Sequence, residues 1–273
     1  MQIMKTGLAG YPSALKKTNK ALSKVLERLS TAKRINRASD DAAGLSISEQ
    51  LTTQVRGFRM ASNNIADAMS ALNIADGAST EISDMMQRQR ELSLQSMNDT
   101  LNDDQRAQID VEYQQLTSEI DRIAEGTQFN TQNLTNGEGL ADGDSVIQAG
   151  ANAGDTIDIP VVDMTAATLG IAGTGIADRS SAQAALGSID AAMSSLNEQR
   201  STVGALVNRF EHASNNLAVA EVNTTAAESV LRDQDMAMGL AELTKNRLLT
   251  ETGTRAFSHF KQISSNHILS LLQ

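Results

Sequence analysis

Only two prolines, Pro12 and Pro160, occur in 273 residues, and between them no ring can break a helix. Apolar residues in that stretch and after it recur at heptad-like spacing. Leu15, Leu22 and Leu29 are seven apart, with Val25 between the last two. Leu51, Phe58, Ile65 and Leu72 repeat the step, interleaved with Val55 and Met69. Ile109, Tyr113, Leu116, Ile120 and Ile123 alternate steps of four and three, and Leu186, Ile189, Met193, Leu196, Val203, Val207, Phe210 and Leu217 keep the register apart from Arg200. Such a stripe is a coiled-coil seam or the buried edge of a helical bundle.

The apolar content is mostly Ala, Leu, Ile, Val and Met, and aromatics make up only 3%, which favours helix packing over a β-sandwich core. A single helix from about Asp41 to Asn98 spans roughly 85 Å, so partner helices must cover it along its length. Ser39-Asp40-Asp41 supplies the residue type of an N-cap, and Asn98-Asp99-Thr100 with Asn102-Asp103-Asp104 reads as a turn followed by the next cap. The stretch from Gly126 to Ser181 differs, being rich in Gly, Asn, Asp and Thr. Within it, Thr156 to Val162 alternates like a short strand, with Pro160 marking an edge. Helix returns near Ser181, and the polar Asn223-Thr224-Thr225 interrupts the pattern before Ala226 resumes it. The expected fold is mainly α: a long antiparallel helical bundle or coiled-coil hairpin with a small β-hairpin region mid-chain. Its expected parts are an N-terminal helix (1–40), long helices (41–128), a β-hairpin and loop region (129–180), a returning long helix (181–225) and a C-terminal helix (226–273).

Charge is segregated within a net −10. Residues 1–37 hold nine Lys or Arg against one Glu, while eight acidic residues and no basic one lie between Arg122 and Arg179. An acidic chain is a poor nucleic-acid binder, and the lysines of the first segment lie on the polar side of a leucine stripe, as on a solvated helix face. With no Cys, disulfide scaffolds, thiol catalysis and Cys-ligated metals are excluded. No apolar run approaches the ~20 residues of a membrane span, and Met1 to Gly7 lacks the apolar core of a cleaved secretory signal. His212, His259 and His267 lack the spacing of a helical metal pair, and Asp142-Gly143-Asp144 lacks the further oxygen ligands of a calcium loop. No phosphate-binding loop or nucleophile elbow occurs. Asn98, Asn133 and Asn223 each begin an N-glycosylation pattern that chance explains better. No catalytic residue, metal site or cofactor is expected, and what remains is a chain that is nearly all interaction surface.

From Glu27 to Ser48, Glu-Arg-Leu-Ser-Thr-Ala-Lys-Arg-Ile-Asn-Arg-Ala-Ser-Asp-Asp-Ala-Ala-Gly-Leu-Ser-Ile-Ser, the sequence resembles bacterial flagellin. The likeness continues in order through Val55-Arg56-Gly57, Ala61-Ser62-Asn63-Asn64, Glu119 to Ile123 with Thr127 to Asn130, Gln148 to Gly154, Val203 to Phe210 and Ile268 to Leu272. It implies a structural, non-enzymatic subunit that self-assembles into the extracellular flagellar filament used for swimming, leaving the cell unfolded through the flagellar type III apparatus. Both termini would form a coiled coil lining the filament's inner tube. The short centre implies a form without large outer domains. Partners implied are other copies of the chain, an export chaperone, the filament cap and hook-associated junction proteins. Within this picture Leu15, Leu22, Val25 and Leu29 are expected to pair with Leu240, Leu243, Phe257, Phe260, Ile263, Ile268 and Leu271 during self-assembly.

Gln87, Arg88, Arg90, Glu91 and Leu92, with Glu112 on the next helix, resemble a stretch through which an innate immune receptor detects many flagellins. The same residues pack between subunits in the family, and subunit packing is the favoured reading. The chain departs from the family at Ile3 to Gly7, at Tyr11-Pro12, at Lys16, Lys17, Lys20 and Lys24, at Ala32 where Gly is frequent, and in the aromatic Phe257 to Gln262. The alternative reading is a hook–filament junction protein. An enzyme-bearing relative and a secreted helical adhesin fit the short centre and the motif order less well.

Overall fold

The computed structural model describes the backbone of residues 2–160 and 162–270, and the side chains of 13–140, 142–160 and 162–263. Five α-helices dominate: α1 (Gln2–Thr31), α2 (Ala42–Ser96), α3 (Asp103–Gly126), α4 (Arg179–Arg232) and α5 (Met236–Ser270). Two antiparallel strand pairs lie between α3 and α4. The first joins β1 (Gln128–Phe129) to β2 (Gln132–Asn133), and the second joins β3 (Val146–Gln148) to β4 (Thr156–Asp158), with Ile147 opposite Ile157. The fold class is that expected from the sequence. The strand expected over 156–162 is shorter, ending at Asp158 two residues before Pro160, which has no N–H to continue a ladder.

The chain divides into two compact units. Unit 1 comprises Met1–Thr53 with Asn223–Gln273, and unit 2 is Gln54–Val222. In unit 2 the heptad stripes become a core: Ile65 and Leu72 of α2, Tyr113 and Ile120 of α3, and Ile189, Leu196, Val203, Phe210 and Leu217 of α4 are all buried. Alanines at 61, 68, 182, 185 and 192 fill the gaps, letting helix backbones approach closely. The irregular segment after β4 also contributes: Met164, Ala166, Ile171 and Ile176 are fully buried. Sequence spacing marked this stretch only as loop.

Polar side chains set the helix ends. Asn102 caps α3 in a reciprocal arrangement: its Oδ1 accepts from the Gln105 N–H at 2.8 Å, and Gln105 Oε1 accepts from the Asn102 N–H at 3.1 Å. Asp41 accepts from the Gly44 N–H at the start of α2, and Asp178 from the N–H groups of Ser180 and Ser181 at the start of α4. Asn223-Thr224-Thr225 does not break the chain as expected. Those residues continue α4 as helix, and the break falls at Asp233 to Asp235, where Asp235 Oδ1 accepts from the N–H groups of Ala237 and Met238 and starts α5. Polar residues alone do not end a helix when no ring or cap competes for the backbone.

Candidate functional site

The end helices α1 and α5 pack against each other within unit 1. A Cβ placed on Gly239 would lie 2.9 Å from Leu29 Cδ2, and one on Gly253 would lie 3.6 Å from Leu15 Cδ1. These contacts are fourteen residues apart on each helix, so an antiparallel register holds over two heptads. On α1 the seam carries Leu15, Thr18, Leu22, Val25 and Leu29. On α5 it carries Gly239, Leu243, Asn246, Thr250, Gly253 and Phe257 in alternating steps of four and three, all less than fully exposed. Of the expected assembly residues, the structure thus gathers Leu15, Leu22, Val25 and Leu29 with Leu243 and Phe257 in one chain. Leu240 (54% exposed) and Ile263 (63%) lie off this seam, while Phe260 (39%), seven residues beyond Gly253, continues the seam position but stays partly open. The side chain of Ile268 and the whole of Leu271 lie outside the described residues.

Further exposed apolar residues, Leu248, Leu249 and Met238, bring α5 apolar surface away from its seam. A helix that is apolar beyond one face is a helix made to be covered on more than one side.

The segments joining α1 to α2 and α4 to α5 also meet in unit 1. The Arg34 N–H donates to the Arg232 carbonyl at 2.7 Å, and the Gln234 N–H to the Ala32 carbonyl at 2.9 Å, around an antiparallel bridge between Lys33 and Asp233. Arg34 Nη2 adds a 2.7 Å bond to the Leu231 carbonyl. Sequence reasoning missed this clasp, because main-chain pairing over two residues leaves no periodic trace. The only sequence signals were the residue types: Ala32, which sits at φ 54°, and the acidic Asp233 to Asp235. Around it, Asp40 Oδ1 meets Lys24 Nζ at 2.6 Å, and Asp40 Oδ2 accepts the N–H groups of Asn36 and Arg37. The Lys24 bond, aided by those N–H donors, holds the Asp40 carboxyl below the usual carboxylate range. Arg232 pairs with Glu49 at 3.0 Å, and Arg37 with Glu27 at 2.8 Å. Gly44 leaves room for Ile35: a Cβ there would lie 2.9 Å from Ile35 Cδ1. The residues from Glu27 to Ser48 are therefore the parts of one folded connection.

The second expected cluster divides. Arg88 donates from Nε and Nη2 to Glu112 Oε1 at 2.9 and 2.8 Å, and from Nη1 to Glu91 at 3.0 Å, all on an exposed face of α2 and α3. Bonds to Glu112, then to Glu91, raise the Arg88 pKa further. Gln87 is exposed beside them. Arg90 reaches instead to Asp190 of α4 at 2.8 Å, and Leu92 is core. Among the described residues no group of three or more His, Asp or Glu is placed to hold a metal ion, and no helix is long and apolar enough to cross a membrane.

Residues 11–139 match the family model for the bacterial flagellin N-terminal helical region, and residues 186–272 that for the C-terminal helical region. A flagellin of Halalkalibacterium halodurans is 41% identical over 256 residues, covering 92% of this chain and 91% of that one. The flagellar filament 31.3 kDa core protein of Treponema maltophilum is 39% identical over 269 residues, covering 94% of each. A solved structure of a putative flagellar hook-associated protein from Vibrio parahaemolyticus superposes with a TM-score of 0.58 over 71% of this chain and 99% of that one, but at 16% identity it shares the fold alone.

Proposed function

The chain belongs to the bacterial flagellin family, and from that premise we infer which of its surfaces build the polymer. A flagellin is a structural subunit of the extracellular flagellar filament and not an enzyme. The junction-protein alternative is not favoured, since the relatives of high coverage are flagellins and filament core proteins.

In this reading Leu15, Leu22, Val25, Leu29, Leu243 and Phe257 zip the two ends of one chain together. Leu240 and Ile263, with Leu248, Leu249 and the open edge of Phe260, then meet other copies. Ile268 and Leu271, whose side chains lie outside the described residues, are assigned to assembly by the family resemblance alone. The observation that carries the reading is the exposure of Leu240, Ile263, Leu248 and Leu249 on a helix whose remaining face is already taken by α1. A contact between unlike surfaces of identical copies does not close on itself and propagates as a helical filament. The inner-tube domain then corresponds to 1–40 with 226–273, and the surrounding domain to the helices and hairpins between.

Export in the unfolded state, a chaperone for it, the filament cap and the junction proteins are partners this reading carries with it. Gln87, Arg88, Glu91 and Glu112 act as a subunit-packing surface. Their charges are already matched within the chain, so a host receptor would have to compete with existing ion pairs.

The test is seeded growth. Purified chain is added to short sheared filaments and followed by negative-stain electron microscopy. Long filaments of uniform diameter are expected. Leu240→Asp and Ile263→Asp should block elongation while the chain keeps its helical circular dichroism. Normal elongation by both variants would remove the outer face of α5 from the assembly surface.

A further inference from the structure

Unit 1 and unit 2 differ in charge as well as in place. Unit 1 holds fourteen Lys and Arg against nine Asp and Glu, whereas unit 2 holds nine against twenty-four. The excess of unit 1 is concentrated on α1. Lys16, Lys17 and Lys20 are exposed on the side of that helix opposite the α5 seam, as their spacing from Leu15, Leu22 and Leu29 at 100° per residue requires. Nearer the C-terminal end of α1 the same side is neutralised within the chain, Lys24 by Asp40 and Glu27 by Arg37. For Lys16, Lys17 and Lys20 no carboxylate lies in ion-pair range among the described residues. Glu27 is the first acidic residue of α1, so no partner sits one turn away.

We propose that the Lys16–Lys17–Lys20 ridge is an interface, and that its partner is a carboxylate-bearing surface of unit 2 in a second copy of the chain. The proposal rests on the filament reading above. In a monomer a lysine ridge is solvated and costs nothing. In a polymer each copy brings another ridge, and like charges within a Debye length of about 8–10 Å repel. Stacking the basic units on one another would gather +5 per copy. Setting the ridge against the acidic unit of a neighbour removes that repulsion and satisfies ammonium groups that packing strips of water. Three lysines on one ridge also fix the axial position of one copy on the next, which a smooth apolar stripe leaves free to slide.

The sign of the salt response discriminates. If ridges meet carboxylates, added salt weakens elongation; if ridges only face each other or solvent, salt aids it or does nothing. The experiment measures the critical concentration for growth on filament seeds at about 0.05 M and about 0.5 M NaCl. The wild-type value should rise severalfold with salt. K16Q/K17Q/K20Q should start about tenfold higher at low salt and lose most of the salt dependence. K16R/K17R/K20R, which keeps the charge, should elongate as wild type does, separating charge from side-chain length and helix stability. Wild-type growth that is unchanged or improved by salt overturns the ridge interface alone, as does a Gln variant that elongates normally. Failure of the wild-type chain to elongate seeds at either salt overturns the filament reading and the ridge with it.

Discussion

Gly57 of α2 and Ala151 at the turn between β3 and β4 meet with no space for a methyl group. A Cβ on Gly57 would lie 2.7 Å from Ala151 Cβ and 3.1 Å from its Cα. Asn64, two turns further along α2, donates from Nδ2 to the Gln148 carbonyl at 3.2 Å and fastens the same hairpin. In an ordinary helix interior, Gly to Ala gains roughly 0.5–1 kcal/mol. Here the obstructing atoms belong to Cβ and backbone, which cannot rotate away, and overpacking costs about 1–3 kcal/mol. Gly57→Ala is therefore expected to lower the denaturation midpoint of the full chain followed by circular dichroism. A raised midpoint would mean that the hairpin yields freely.

Ala32 has the opposite defect. Its φ of 54° places a β-carbon in the left-handed region, at a cost of about 1–2 kcal/mol. The Gln234 N–H bonded to its carbonyl holds it there. Ala32→Gly removes the clash and gives back part of that gain through a more flexible unfolded chain. A net stabilisation of roughly 0.5–1 kcal/mol is expected, read as a higher melting temperature of assembled filaments. An unchanged or lower melting temperature would show that the clasp does not strain this residue.

The contrast between these two sites shows what the sequence makes legible. Large apolar residues at a fixed period announced the stripes of α2, α3 and α4, and Val55, Ile65, Leu72 and Phe210 lie in the core. Alanines such as Ala61 and Ala68 fill that core equally, but alanine is too common on helix surfaces to mark a face. Met164, Ile171 and Ile176 are buried from an irregular segment, where no repeat exists to find. Gln89 lies in a run of charged and polar residues that reads as a solvent face, yet it is fully buried, because every third or fourth position there, Met86, Gln89, Ser93 and Ser96, turns inward. At the ends of the chain the two apolar stripes were legible. Which face of α5 takes α1 was not, since that face runs through Gly239, where a Cβ would crowd Leu29, and through Gly253, and glycines add nothing to an apolar stripe.

Asp178 links α4 to pH. Its carboxylate accepts the Ser180 Oγ–H and the N–H groups of Ser181 and Ser180, and these bonds pull its pKa down to about 2 from the usual carboxylate value near 4. A folded-state pKa below the unfolded one means that the ionised carboxylate stabilises the fold above about pH 4 and that this contribution is lost as pH falls towards 2. Asp178→Asn keeps a capping oxygen without the charge. Urea midpoints of the two chains should differ in favour of wild type at pH 6 and converge near pH 2. A difference that persists undiminished at pH 2 would assign the effect to shape and not to ionisation.

Gln89 offers the last test, because its two amide atoms fare differently. Nε2 donates to Thr117 Oγ1 at 2.8 Å and, at 3.4 Å, to the Tyr113 carbonyl, while Oε1 is buried without a hydrogen-bond partner among the described residues. Leaving a buried acceptor unpaired costs about 1–3 kcal/mol, against a net gain of about 0.5–1.5 kcal/mol for the short bond to Thr117, the long one to Tyr113 adding little. Thr117 does not depend on Gln89, since its Oγ1 donates to the Tyr113 carbonyl at 3.1 Å. Methionine has a similar length and no amide to satisfy. Gln89→Met is thus expected to stabilise unit 2 by about 1 kcal/mol, measured by urea denaturation, and Gln89→Glu to destabilise it strongly by burying a charge. Should Gln89→Met instead lose stability, the Thr117 bond outweighs the unpaired oxygen, and the pair serves to set the register of α3 on α2.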